Sequence, residues 1–333
     1  MENLLYKNCE LCPRKCGVDR TSGLRGFCGE TSDIRVASVG LHFGEEPLIT
    51  VFGGSGTVFF TGCTLHCAFC QNFQISQQGM GKDLSRAEFV RLCLELEKLG
   101  AENINLVTGS HAIPKIAEYL SEAKNAGLSI PVAWNSSAYE SVESLSLLHG
   151  LVDIWLPDLK TLNAQMSAQL FAAQDYPSVA KRAIRYMISE SPLKIVERKK
   201  NGESREKMLS GVIIRHLFLP GRLDDTILTL DWLKSHADGK ACISLMSQYT
   251  PVEFSQRKEA LSAFQNRLVN TEEDKSLRAL IDKYDFDYLF YQDLSDDTDW
   301  LPDFSREQPF SNALARPVWH WKTGFVGSSI AKD

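Results

Sequence analysis

Six short apolar runs, at residues 58–60, 104–107, 132–134, 152–156, 212–217 and 242–246, alternate with longer amphipathic stretches. Each run is the length of a strand rather than a helix. Strands that return through helices lie parallel, with right-handed crossovers, so the pattern predicts an α/β fold around a parallel sheet. The first intervening helix is the clearest. Ser85 and Glu88 form a capping-box pair, and Phe89, Leu92, Cys93, Leu96 and Leu99 then recur on one face. A second helix carries Ala180, Ala183, Ile184, Met187 and Ile188, and a third Ile227, Leu230 and Leu233. Periodicity fits an open doubly wound sheet and a curved barrel equally well. Lys200-Asn201-Gly202-Glu203 is a tight-turn signal and predicts a β-hairpin over 193–209, before the fifth strand.

The 333 residues suffice for one large domain with appendages, and 36 basic against 42 acidic residues leave a formal charge of −6. That balance argues against nucleic acid as a partner, and the basic stretch 194–207 is broken by Glu197, Glu203 and Glu206. No segment is apolar enough to span a membrane or to act as a signal peptide, so a cytoplasmic location is expected. Thiols in such a compartment stay reduced, which turns attention from disulfides to metals. Seven of the nine cysteines lie in the first 70 residues, as Cys9, Cys12, Cys16, Cys28 and then Cys63, Cys67, Cys70. Cys93 falls on a helical apolar stripe and Cys242 in a strand, both as core residues.

The second group, Cys63-x3-Cys67-x2-Cys70, follows the first strand and the glycine-rich segment Gly53-Gly54-Ser55-Gly56. Structural zinc and most iron–sulfur clusters take four protein ligands. Three thiols on one tight loop leave a cubane one iron short of a ligand, and an open position is where a cofactor or substrate binds. A zinc site completed by His66 or by a distant residue is the alternative.

The Cys-x3-Cys-x2-Cys pattern, with Phe69 before its last cysteine, resembles the cluster loop of radical S-adenosylmethionine (SAM) enzymes. The runs Phe-Gly-Glu-Glu-Pro (43–47), Gly-Ser-Gly-Thr-Val-Phe-Phe-Thr-Gly-Cys (54–63) and Cys70-Gln71-Asn72 are similar to relatives of pyruvate formate-lyase activating enzyme. So are segments 152–160, 214–221 and 246–251, and the resemblance covers most of residues 9–251. It implies a partial (β/α)6 barrel with a [4Fe-4S] cluster on Cys63, Cys67 and Cys70. SAM would chelate the open iron and be cleaved reductively to methionine and a 5′-deoxyadenosyl radical. It further implies an electron donor such as flavodoxin or ferredoxin, and a protein substrate on which a glycyl radical is installed. The organisation expected is a Cys-rich metal-binding segment (1–50), a radical SAM core (51–251) and a C-terminal extension (252–333) whose role the residues do not reveal.

Ends of parallel strands open into the ligand cleft, which nominates polar residues there. Thr108 and Ser110 stand where relatives carry a glutamate for the SAM amino group. His111 either bonds the cofactor or caps the next helix. Asn135 and Ser136 follow the third strand. The Asp158-x-Lys160 pair looks like the segment of glycyl-radical activating enzymes that lies against SAM, with Lys160 facing its carboxylate. Arg215, within the fifth strand, needs an anion, and the cofactor carboxylate would serve. Phe69 is expected on the adenine, or else in the core. Trp300, Trp319 and Trp321 are read as covers for apolar surface. Cys9, Cys12, Cys16 and Cys28 make a complete ligand set for zinc, as a structural knot, or for a second iron–sulfur cluster. The chemistry would belong to cluster and SAM, so no side chain is nominated as catalytic. The competing class is a non-catalytic iron–sulfur or zinc protein for electron transfer or assembly.

Overall fold

The computed structural model describes residues 2–294 and 300–326. Its strands are β1 (Arg35–His42), β2 (Ser55–Phe60), β3 (Lys82–Asp83), β4 (Ile104–Val107), β5 (Val132–Ser136), β6 (Ile154–Pro157), β7 (Lys194–Lys200), β8 (Glu203–Leu217), β9 (Cys242–Met246), β10 (Leu289–Gln292), β11 (Ala315–His320) and β12 (Gly324–Phe325). The helices are α1 (Glu2–Lys7), α2 (Pro47–Thr50), α3 (Phe73–Ser76), α4 (Arg86–Lys98), α5 (Ile113–Asn125), α6 (Val142–Leu145), α7 (Ala164–Phe171), α8 (Tyr176–Glu190), α9 (Leu223–His236) and α10 (Thr271–Tyr284). No helix among the described residues is long and apolar enough to cross a membrane.

All six expected strands form, and β2-β4-β5-β6-β8-β9 run parallel side by side, with β10 added as a seventh. Side chains alternate across this sheet. Leu106, Trp134, Trp155, Ile214 and Ile243 meet the apolar faces of α4, α5, α8 and α9. Ala133, Ile154, Leu156, Ile213 and Cys242 line the opposite face, which Leu48 and Ile49 of α2 plug. Helices on one face and a plug on the other are the layers of a curled sheet rather than a doubly wound one. Its curl can be gauged from its ends. Five strand spacings separate β2 from β9, about 24 Å in a flat sheet. Yet Arg257, beyond β9, donates to the carbonyl of His66, beyond β2, at 2.6 Å. Among the described residues no pairing closes the ring, so the barrel is partial.

The predicted hairpin is present, with Asn201 and Gly202 both left-handed in its turn. Its second arm does not end before the fifth strand, however. β8 runs unbroken for 15 residues from the hairpin into the barrel. Two further strands come from outside the core. β1 pairs antiparallel with β2, and β11, from the C-terminal extension, pairs with β1 across a bulge. Cys93 and Cys242 are fully buried, as expected of core residues. Trp319 is buried, and Trp321 donates to the Phe304 carbonyl at 2.9 Å.

Two stability predictions follow from close contacts. A Cβ on Gly53 would lie 1.8 Å from the carbonyl oxygen of Gly100, with backbone on both sides. Gly53→Ala should therefore cost about 2 kcal/mol, read as a lower urea midpoint. At the end of β1, the amide of Gly44 donates to Nδ1 of His42 at 3.1 Å, and Phe310 meets the ring edge-on. An accepting nitrogen must be unprotonated, and burial holds the His42 pKa down at about 4. Its neutral form thus favours the fold fully above the ordinary pKa near 6.5, and that contribution disappears as pH falls through 4. Urea titrations at pH 7 and pH 4 should show a smaller acid loss for His42→Gln than for the parent chain, by on the order of 2 kcal/mol.

Candidate cofactor site at the barrel mouth

The chain leaves β2 through Thr61 and Gly62 into the loop that carries Cys63, Cys67 and Cys70. Gly62 has φ +86°, and a Cβ there would strike Glu30 and the Cys28 carbonyl. His66 also takes a positive φ, 52°, which is uncommon for a side chain of that size. The turn brings the three thiols into mutual electrostatic reach: Cys67 feels Cys70 and Cys63 as like charges, and Cys70 feels Cys63. Burial raises both thiols, Cys70 to about 11. Several groups work the other way. Lys160 and Arg257 present positive charge to Cys67. The Ser76 hydroxyl lies 3.2 Å from the Cys70 sulfur, and the Leu65 amide donates to the Cys63 sulfur at 3.3 Å.

His66 turns away from these thiols. Its ring packs on Phe27 at 4.7 Å, in the N-terminal segment. Among the described residues no three His, Cys, Asp or Glu side chains close on a single metal ion. Three thiols are soft donors of the kind an iron–sulfur cluster takes, one to each iron. Orphaned buried atoms point the same way, since buried polar groups are normally paired. Thr64 Oγ1 and His66 Nε2 in the loop, and both ring nitrogens of His111, have no partner. His111 caps nothing; the residue before α5 is Ala112, without a side-chain cap.

The strand ends bring most of the other nominated residues together. Arg215 reaches Asp158 at 2.9 Å, Glu45 at 3.3 Å and the side-chain amide oxygen of Asn135 at 2.5 Å. The anion sought for Arg215 in the cofactor is thus provided by the protein itself. Lys160 likewise pairs with Asp158 at 2.8 Å, and the two cations hold the Asp158 carboxyl below its usual range against burial. Thr108, at φ +64°, is a strained β-branched residue at the end of β4. The Ser110 hydroxyl donates to Glu140 at 2.7 Å, keeping only its lone pairs for an ammonium. Phe69 sits among Phe171, Tyr249 and Phe264, with centroids about 6 Å away.

Three residues had no local signal. Glu140 is buried and accepts from Ser110, Ser136 and Trp134, each at 2.7 Å. It stands beside Ser110, near the position where the relatives' glutamate is missing here. Glu45, from the Phe-Gly-Glu-Glu-Pro run, enters the interior between Arg215 and Asn105. Arg14 donates to the carbonyls of Thr64, Leu65, Phe171 and Ala172, binding the cluster loop to the N-terminal segment.

The sequence profile of the radical SAM superfamily matches residues 57–230. An uncharacterized protein of Methanocaldococcus jannaschii is 30% identical over 293 residues, which cover 86% of this chain and 78% of that protein. Among solved structures, Streptococcus suis SuiB bound to S-adenosylmethionine aligns over 69% of this chain and 48% of its own, at 11% identity and a TM-score of 0.47. A radical SAM methyltransferase from Sphaerobacter thermophilus aligns over 71% and 65%, at 13% identity and 0.47. A domain of pyruvate-formate lyase-activating enzyme from Bacteroides vulgatus aligns over 54% and 91%, at 12% identity and 0.35. The chain spans about half the length of SuiB, and likenesses this distant say nothing about substrate. The profile covers more than half of the 333 residues and begins within β2, taking in the three-thiol loop and the strands around it: the chain belongs to the radical SAM superfamily.

Proposed function

We propose that this protein binds a [4Fe-4S] cluster on Cys63, Cys67 and Cys70 and cleaves SAM reductively at the mouth of the barrel. The observation that carries the reading is the loop after β2. It gathers three thiols, two of them buried and one partly so, at the open end of the sheet, with cations alongside. Superfamily membership implies both the cluster and SAM. When bound, they supply a one-electron cleavage of the sulfonium C–S bond, which gives methionine and a 5′-deoxyadenosyl radical.

The chain's own groups hold and orient. Thiolates are the metal-binding form, so Arg257 favours loading by offsetting charge on Cys67. Lys160, steadied by Asp158, is the cation available to the SAM carboxylate. Thr108 and Ser110 would take the amino group of SAM, with Glu140 fixing Ser110. Asn135 and Arg215 form the floor beneath them. Phe69 and its aromatic neighbours exclude water from the adenine side.

The resemblance to pyruvate formate-lyase activating enzyme extends the reading to a glycyl-radical protein as substrate and flavodoxin or ferredoxin as electron donor. Support lies in two of the runs that carry it, 43–47 and 158–160, whose Glu45 and Asp158 share the Arg215 guanidinium inside the barrel.

Incubation of the anaerobically reconstituted chain with SAM and dithionite should release 5′-deoxyadenosine. Cys63→Ala, Cys67→Ala and Cys70→Ala should each abolish it. Product from any of these variants, or none from the parent chain, would favour a non-catalytic metal protein. Lys160→Met should retain full iron content while weakening SAM binding at least about tenfold, the scale of one lost charge-assisted bond. Equilibrium dialysis with labelled SAM, alongside iron analysis, measures both.

A further inference from the structure

We propose that Cys9, Cys12, Cys16 and Cys28 hold a second iron–sulfur cluster, through which electrons enter and pass by way of Cys28 to Cys63. The proposal rests on the preceding reading of Cys63, Cys67 and Cys70 as cluster ligands.

The four thiols form one electrostatic group, since Cys12 feels Cys28, Cys16 and Cys9 together. The segment is folded around them. The Cys9 amide donates to Val18, Gly17 donates back to Cys9, and Lys15 donates to Cys12. The Phe27 amide points at the Cys16 sulfur, 3.3 Å away. The Phe27 bond directs a backbone N–H toward sulfur, which favours the thiolate, while the others close the turns that carry the cysteines.

Arg20 is the second observation. It is 1% exposed, yet its hydrogen bonds run to the carbonyls of Glu30, Thr31 and His111 and to the Cys9 sulfur at 3.6 Å, none to a carboxylate. The nearby Glu30 carboxylate turns to Arg35 instead, at 3.1 Å. A guanidinium withdrawn from water needs a counter-charge. Besides Glu30, which also acts on it, the sulfurs of Cys9 and Cys28 face the guanidinium, and ligation to a metal centre would make their charge permanent.

Zinc and a cluster would both meet this need, and what lies beside the set separates them. Zinc has no redox chemistry, whereas a cluster here would stand next to a second redox centre. Position then assigns the role. Cys12 and Cys16 are only half-buried, while Cys28 is buried on the inner side. The Cys63 amide donates to the Cys28 carbonyl at 3.3 Å. A ligand residue of each centre is thus joined by one hydrogen bond, a short through-bond route from the surface to the buried loop. One electron from a low-potential protein donor would reduce the outer centre, then move inward, leaving the outer centre oxidised again and the inner one reduced.

The anaerobically reconstituted full-length chain should contain about 8 irons and about 8 sulfides, as two cubanes require. On reduction, its electron paramagnetic resonance spectrum should be broadened by interaction between two neighbouring spins. Cys12→Ser/Cys16→Ser should fall to about 4 irons, lose the broadening and keep the inner cluster's signal. With flavodoxin as donor, its rate of SAM cleavage should drop at least tenfold. About 4 irons with 1 zinc in the parent chain, about 4 irons without zinc, or an unchanged flavodoxin-driven rate in the variant, each overturns the proposal. Iron content and spectrum are read on the parent chain, so they decide the matter even if the double variant misfolds. A parent chain with 8 irons that makes no 5′-deoxyadenosine would refute SAM cleavage while leaving the second cluster standing.

Discussion

Arg215 projects from β8 into the interior of the curled sheet, where Asp158 from the end of β6, Asn135 from β5 and Glu45 from the segment after β1 converge on its guanidinium. Charges so placed are costly to take from water and are tolerated only when hydrogen bonds saturate them. Each partner therefore fixes the distance between two pieces of backbone. Together they set the curvature of the middle of the barrel and the height at which its floor lies. Asp158 is shared with Lys160, so the cation nearest the thiols is positioned by the same network. Burial pushes the carboxyls of Glu45 and Glu46 up, with Arg215 opposing it. Glu45, Glu46 and Asp158 thus all face Arg215, and Asp158 faces Lys160 as well.

The core strands could be located in the sequence because strands covered on both faces read as unbroken apolar runs. The same rule explains what was hidden. β11 contains Pro317, which argues against a strand inside a sheet. It is accepted at a bulge opposite Gly40, where a Cβ would lie 2.5 Å from the Arg316 carbonyl. β1 was obscured by lying just after the cysteine-rich stretch, and β10 by being four residues long and only partly buried. The hairpin arm and the fifth strand look separate because Lys207 and Ser210 interrupt the apolar pattern. Backbone hydrogen bonding carries β8 straight through them.

At the site, thiol spacing and the strand-end rule nominated the candidate ligands and the polar rim. Partners could not be read in the same way, because they are joined across the chain rather than along it. Arg14 and Phe171 are 157 residues apart, Arg215 and Glu45 170, and Ser110 and Glu140 30. No period of 2 or 3.6 carries such information. Arg215 illustrates the limit well. Burial of an arginine did require an anion, but only coordinates could show that Asp158 and Glu45 meet the need without a cofactor.

The loop from Cys63 to Cys70 shows how far the site depends on distant parts of the chain. Irregular backbone at a strand end cannot draw its hydrogen bonds from a sheet or helix, and its carbonyls still need donors. Arg14 serves Thr64 and Leu65, Arg257 serves His66, and Gln77 serves Cys67. One of these donors lies before the barrel, one just after the cluster loop and one beyond β9. Their contacts can form only once the sheet has curled and both outer segments have docked, the most non-local step in the fold. The shape of the thiol loop is thus a property of the whole chain, although its eight residues carry the recognisable motif. Damage to the N-terminal segment or to the region around Arg257 would consequently reach the cofactor site without touching a cysteine.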